Sequence, residues 1–143
     1  MKLIQLIYVS SSPDPQVSPI ELERILQSAV RHNLAQGITG MLLYANGTFI
    51  QVLEGEEAAV DETFARVERD PRHTGVFVID RAPIRDRAFG QWSMGFKRLG
   101  QADAVSHPAY ARFFEDGFAL SQIQARPGVA LEMLTDFARN SRE

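Results

Sequence analysis

The sequence contains no cysteine. That excludes disulfides, a thiolate nucleophile, and zinc or iron–sulfur sites built on Cys. Histidine is scarce. His32, His73 and His107 stand far apart and form no HExxH or HxxxH pair, so local spacing suggests no metal site. Long apolar runs are missing too. The stretch 38–45 falls far short of the ~20 residues a helix needs to cross a bilayer. At the start, Gln5 interrupts the apolar residues, one lysine precedes them, and no small-residue cleavage site follows. That reads as a first strand rather than a signal peptide. There is no basic excess: 15 Lys and Arg face 18 Asp and Glu, for a net charge of −3. A duplex-DNA binder usually carries such an excess, so no nucleic-acid partner is expected. GxGxxG, P-loop and GxSxG signatures are absent. A cytoplasmic protein without membrane attachment is expected.

What remains is a chain of 143 residues, 45% hydrophobic and 23% charged. That is the size and composition of one globular domain with a real core. Residues 3–10 read as a strand covered on both faces. Pro13 and Pro15 mark a loop. Ser18, Pro19 and Glu21 form a helix start with a capping box, and Gly37 suits its end. Leu22, Ile25, Leu26, Ala29 and Val30 supply its apolar stripe. Residues 38–45 and 48–54 are strands joined by Asn46-Gly47, a strong hairpin signal. A second helix is expected over 58–69, with Val60, Phe64 and Val67 facing inward and Pro71 ending it. Strands follow at 76–80 and 89–97.

The expected class is α+β. A ferredoxin-like β-α-β-β-α-β sheet carries a fifth strand, with both helices on one face. Amphipathic segments 108–120 and 127–139 should form a two-helix cap on the other face. Residues 1–100 then make the main domain and 101–143 its helical cap.

Polar residues stand in apolar places. Period-two alternation on the third strand puts Phe49, Gln51 and Leu53 on one face and Ile50, Val52 and Glu54 on the other. Gln51 therefore sits between apolar neighbours. The first helix's stripe runs on to Asn33. Tyr8 shares a face with Ile4 and Leu6. A buried amide without partners costs ~1–3 kcal/mol. Any one of these three reads first as a group paired within the core. Together they suggest a cavity for a flat heterocycle, with amides reading its polar edge and Ile25, Leu53 and Val67 covering its faces. The arginines from Arg66 to Arg87 read first as a solvated face with pairs such as Arg66 to Asp70, and second as a phosphate site. Trp92, Met94 and Phe96 alternate on the fifth strand, a pattern that usually means core packing.

These segments resemble the BLUF domain, a flavin-using blue-light sensor. The resemblance rests on Leu6-Ile7-Tyr8-Val9-Ser10, Arg31-His32-Asn33, Gly37-Ile38-Thr39-Gly40, Phe49-Ile50-Gln51-Val52-Leu53-Glu54-Gly55, Arg69-Asp70-Pro71-Arg72-His73 and Gln91-Trp92-Ser93-Met94-Gly95. It covers about residues 1–100. It implies a flavin between the two helices, FAD in the usual case, with FMN or riboflavin as alternatives. Tyr8 is then the light-driven electron donor. Gln51 bridges Tyr8 and the flavin, and Asn33 holds the ring's carbonyl edge. Ile25, Leu53 and Val67 pack near the ring, and His32, Arg66, Asp70 and His73 line the ligand. His32 departs from a common form with two adjacent asparagines. Trp92 and Met94 are the implied signal relay. No enzymatic activity is expected. The implied output is a separate effector protein, with self-association into a homo-oligomer. Two rivals are an acylphosphatase-like small hydrolase and a scaffold that has lost photochemistry.

Overall fold

The computed structural model describes residues 2–13, 17–45, 47–90, 94–98 and 128–139. The element order is β1 (Leu3–Ser11), α1 (Pro19–Gln36), β2 (Thr39–Ala45), β3 (Thr48–Glu56), α2 (Glu57–Arg69), β4 (Thr74–Pro83), β5 (Gly95–Arg98) and α3 (Gly128–Arg139).

Helix α1 starts and stops where its caps require. Ser18 Oγ accepts from the Glu21 N–H, and Pro19 opens the first turn, where its missing N–H costs nothing. Gly37 adopts φ +69°, a left-handed conformation that L side chains resist. Its N–H and that of Ile38 both bond the Asn33 carbonyl, which closes the helix.

The sheet runs β4-β1-β3-β2-β5. Strands β1, β2 and β3 pair antiparallel, β4 pairs antiparallel with β1, and β5 runs parallel to β2 at the far edge. The ferredoxin-like order with an added strand is therefore the one expected. Tyr8 stands opposite Gln51 on the neighbouring strand.

Each face has its own core. Ile4, Leu6 and Tyr8 of β1 and Phe49 and Leu53 of β3 pack with Leu22 and Ile25 of α1 and Val60 of α2. Ile7, Val9, Ile50 and Val52 face the other way and pack under Met133, Leu134 and Phe137 of α3. This two-sided burial explains why β1 is apolar at successive positions. The expected cap helix at 127–139 is present as α3. The one at 108–120 lies outside the described residues.

Two strands depart from expectation by three residues or more at one end. The strand expected at 76–80 runs from Thr74 to Pro83. It is a sheet edge, exposed at most positions, where Asp80, Arg81 and Pro83 are tolerated. The fifth strand begins at Gly95 rather than at 89. Phe89 and Gly90 lie in a bend and turn, and Met94 stands just before the strand. No helix among the described residues is long and apolar enough to cross a membrane.

Candidate functional site

A cleft of about 290 Å³ opens between α1 and α2 above the helix-covered face of the sheet. Helical spacing aims the α1 residues into it. Ile25, Ala29, His32 and Asn33 line one wall, and Thr63, Arg66 and Val67 of α2 line the other. Leu42, Gln51 and Leu53 form the floor, and Asp70, Arg72 and His73 close the end beyond α2. The cleft thus brings together Ile25, His32, Asn33, Gln51, Leu53, Arg66, Val67, Asp70 and His73, all of them residues singled out in the sequence. Tyr8 does not line it. Its ring lies beneath, fully buried, 5.3 Å from the Phe64 ring.

The floor carries a directed hydrogen-bond chain. The Tyr8 hydroxyl donates to Gln51 Oε1, and Gln51 Nε2 donates to Met94 Sδ at 3.2 Å. A thioether sulfur has no proton, so only the NH₂ end of the amide can face it. Met94 therefore fixes which way Gln51 points. Burial, with the Asp70 carboxylate adding to it, pushes the Tyr8 phenol far above its ordinary range. Tyr8 is a neutral donor at any physiological pH. Trp92, the other expected relay residue, lies outside the described residues.

The cleft's walls hold a second chain. Thr63 Oγ1 donates to the Ala59 carbonyl, so it accepts from His32 Nε2 at 2.9 Å. His32 Nδ1 is then left to accept from Arg66 at 2.7 Å. This requires neutral His32 with its proton on Nε2. Burial and the Arg66 charge lower the His32 pKa, against an opposing pull from Glu62. His73 is lowered by burial first, with Asp70 opposing and Arg72 assisting. Its Nδ1 lies 2.9 Å from Ser10 Oγ, and its ring sits 5.0 Å from Phe49.

Asp70 holds Arg72 through both carboxylate oxygens and also takes the Arg72 backbone N–H. Burial alone would raise the Asp70 carboxyl, but these bonds and the Arg72 charge bring it below its usual range. The helical pair Arg66 to Asp70 suggested by spacing is replaced by this one. The reason is local: α2 ends at Arg69, and Asp70 turns to an extended ψ of 121° ahead of Pro71. Thr63 and Arg72 were missed from sequence. Thr63 sits one turn before Arg66 and Val67, so helical spacing held that signal. Arg72 becomes a wall residue only through the turn at Pro71.

The groups fit a flat heterocycle with a polar edge. Two carboxamides reach the cleft, Asn33 being only 1% exposed, and aliphatic side chains flank them. Among the described residues, no group of His, Asp and Glu could hold a metal ion.

Two further polar side chains, Gln5 and Glu54, are buried on the opposite face. Glu54 is 0% exposed and accepts from Gln5 Nε2 and from the backbone N–H groups of Ala88 and Phe89.

Residues 3–95 match the model of the BLUF family, sensors of blue-light using FAD. The chain is 40% identical over 93 residues to the photoactivated adenylate cyclase subunit beta of Euglena gracilis, matching 64% of this chain and 11% of that protein. It thus spans a small part of the curated relatives it matches. Among solved structures it superposes on the dark state of BlrB, a BLUF protein, with a TM-score of 0.79, 30% identity and 98% of both chains covered. BlrP1 of Klebsiella pneumoniae, solved with FMN and cyclic diGMP, matches with a TM-score of 0.64 and 33% identity, over 88% of this chain and 35% of that one. Fold, cleft and family match agree: the chain belongs to the BLUF family of flavin-based blue-light sensors.

Proposed function

We propose that this chain senses blue light through a flavin, FAD in the first instance, held in the cleft between α1 and α2. Asn33 and Gln51 read the polar edge of its ring, and Ile25, Leu53 and Val67 cover the faces. His32, Arg66, Asp70 and His73 hold the rest of the ligand. When bound, the flavin supplies a blue-absorbing group whose excited state draws an electron from a nearby donor.

Tyr8 is that donor. Its hydroxyl proton has a ready path along the bond to Gln51 Oε1. Gln51 then reorients or changes tautomer, which exchanges its donors for acceptors. Rotation brings Oε1 round to Met94 Sδ, which has no proton to give, so the bond to Met94 is lost. With flavin bound, the reoriented Gln51 would offer it a new hydrogen-bond donor, which would shift absorption slightly to the red. The signal leaves through Trp92, Met94 and the fifth strand to the helices on the far face. It passes to a separate effector protein, from a self-associated form of this chain.

The observation that carries this reading is the buried chain from Tyr8 through Gln51 to Met94, with Gln51 on the floor of the cleft. The test is to extract and identify the flavin that co-purifies with the protein. FAD at one per chain is the expected result. A protein that neither carries flavin nor takes up FAD, FMN or riboflavin would contradict the reading.

A further inference from the structure

Glu54 has no role in the cleft. It lies on β3 on the face away from α1 and α2, beside Ile50 and Val52. A buried carboxylate is costly unless donors satisfy it. Three do. Gln5 Nε2 lies 2.8 Å from one oxygen, which the Ala88 N–H also reaches at 3.0 Å. The Phe89 N–H meets the other at 2.8 Å. Two of these donors belong to the chain leading from β4 to β5. Arg87 fastens the same stretch a second time. Its guanidinium reaches Thr39 Oγ1 at 2.9 Å, the Glu54 carbonyl at 3.0 Å and the Gly37 carbonyl at 2.8 Å.

This stretch leads to Met94. The strand that follows is short, and among the described residues only β2 pairs with it. Gly40 of β2 leaves room for the Met94 methyl, which lies 3.4 Å from where a Cβ would stand. Fastening ahead of β5 therefore helps decide where Met94 sits.

We propose that Glu54 is a positioning residue for the light response, holding the chain before β5 so that Met94 Sδ meets Gln51 Nε2. The proposal rests on the photosensor reading above. In the dark, the clamp keeps Met94 as the acceptor that orients Gln51. After Gln51 reorients, the same clamp opposes retreat of Met94 and so sets how fast the dark state returns.

The test is a double-mutant cycle on the full flavin-loaded chain, reading dark recovery after a blue flash. Glu54→Gln should keep bound flavin and the dark spectrum while changing the recovery rate by about tenfold, the scale of one charge-assisted hydrogen bond. In a Met94→Ala background the same substitution should have almost no effect. Arg87→Met loosens the same stretch without touching the carboxylate and gives a second cycle should Glu54→Gln fail to fold. Wild-type recovery in both variants would overturn the proposal. So would an equally large effect with Met94 gone, because Glu54 would then act by another route. A wild-type protein that binds flavin but shows no light-induced shift would overturn the photosensor reading, and this proposal with it.

Discussion

The Tyr8 hydroxyl donates to Oε1 of Gln51, the residue directly opposite it on the neighbouring strand, and both side chains are buried. The sheet register itself creates this pair. A one-residue slip of β3 against β1 would turn Gln51 to the other face and away from the cleft.

Gln51→Leu tests the amide's part. Leucine keeps the volume but neither donates nor accepts. Flavin should remain bound and the light-induced red shift should vanish. The buried Tyr8 hydroxyl loses its acceptor, so stability should fall by about 1–3 kcal/mol. A difference spectrum and a thermal melt on one preparation read both effects.

Tyr8→Phe tests the donor. The ring keeps its contact with Phe64, so the fold should survive. With the electron and proton donor gone, the red shift should be lost and flavin fluorescence should rise. Fluorescence yield beside the difference spectrum checks this. A normal red shift in Tyr8→Phe would remove Tyr8 from the mechanism.

Much of this site was legible in the chain. Period-two alternation on β3 placed Gln51 and Glu54 on opposite faces, and helical spacing carried the α1 stripe to Asn33. Alternation put Glu54 beside Ile50 and Val52, a sign of burial that was passed over in the sequence. Its partners were not legible, because the donors at Ala88 and Phe89 come from a distant turn. The start of β5 was not legible either. Alternation at Trp92, Met94 and Phe96 resembles strand, yet pairing with β2 begins only at Gly95. Pairing with a distant edge leaves no local mark.

Two glycines should separate strain from crowding. A Cβ at Gly40 would lie 2.0 Å from the Val52 carbonyl oxygen, so backbone must move. Gly40→Ala should cost about 3 kcal/mol or more, at the upper end of overpacking costs. At Gly37 there is open space and only the positive φ objects. Gly37→Ala should cost about 1–2 kcal/mol. Denaturant midpoints measure both, and the order should not reverse.

The two cleft histidines predict a pH dependence. Both are held below their ordinary pKa in the fold, by burial above all. The unfolded chain then binds more protons as pH falls, so stability drops with falling pH. The contribution is fully present above the ordinary histidine value of about 6.5 and is lost below it. Asp70, also held low, weakens the fold only in a more acidic window. Melting temperature should decline from neutral pH toward pH ~5. The paired variant His32→Gln, His73→Gln should flatten that decline. An unchanged decline in the variant would mean that other groups carry it.

The most direct test of the central claim is an absorption spectrum of the purified protein, recorded in the dark and again after a blue flash. The account predicts a flavin spectrum that moves slightly to the red and returns in darkness. A flavin-loaded protein whose spectrum stays fixed under blue light would contradict it.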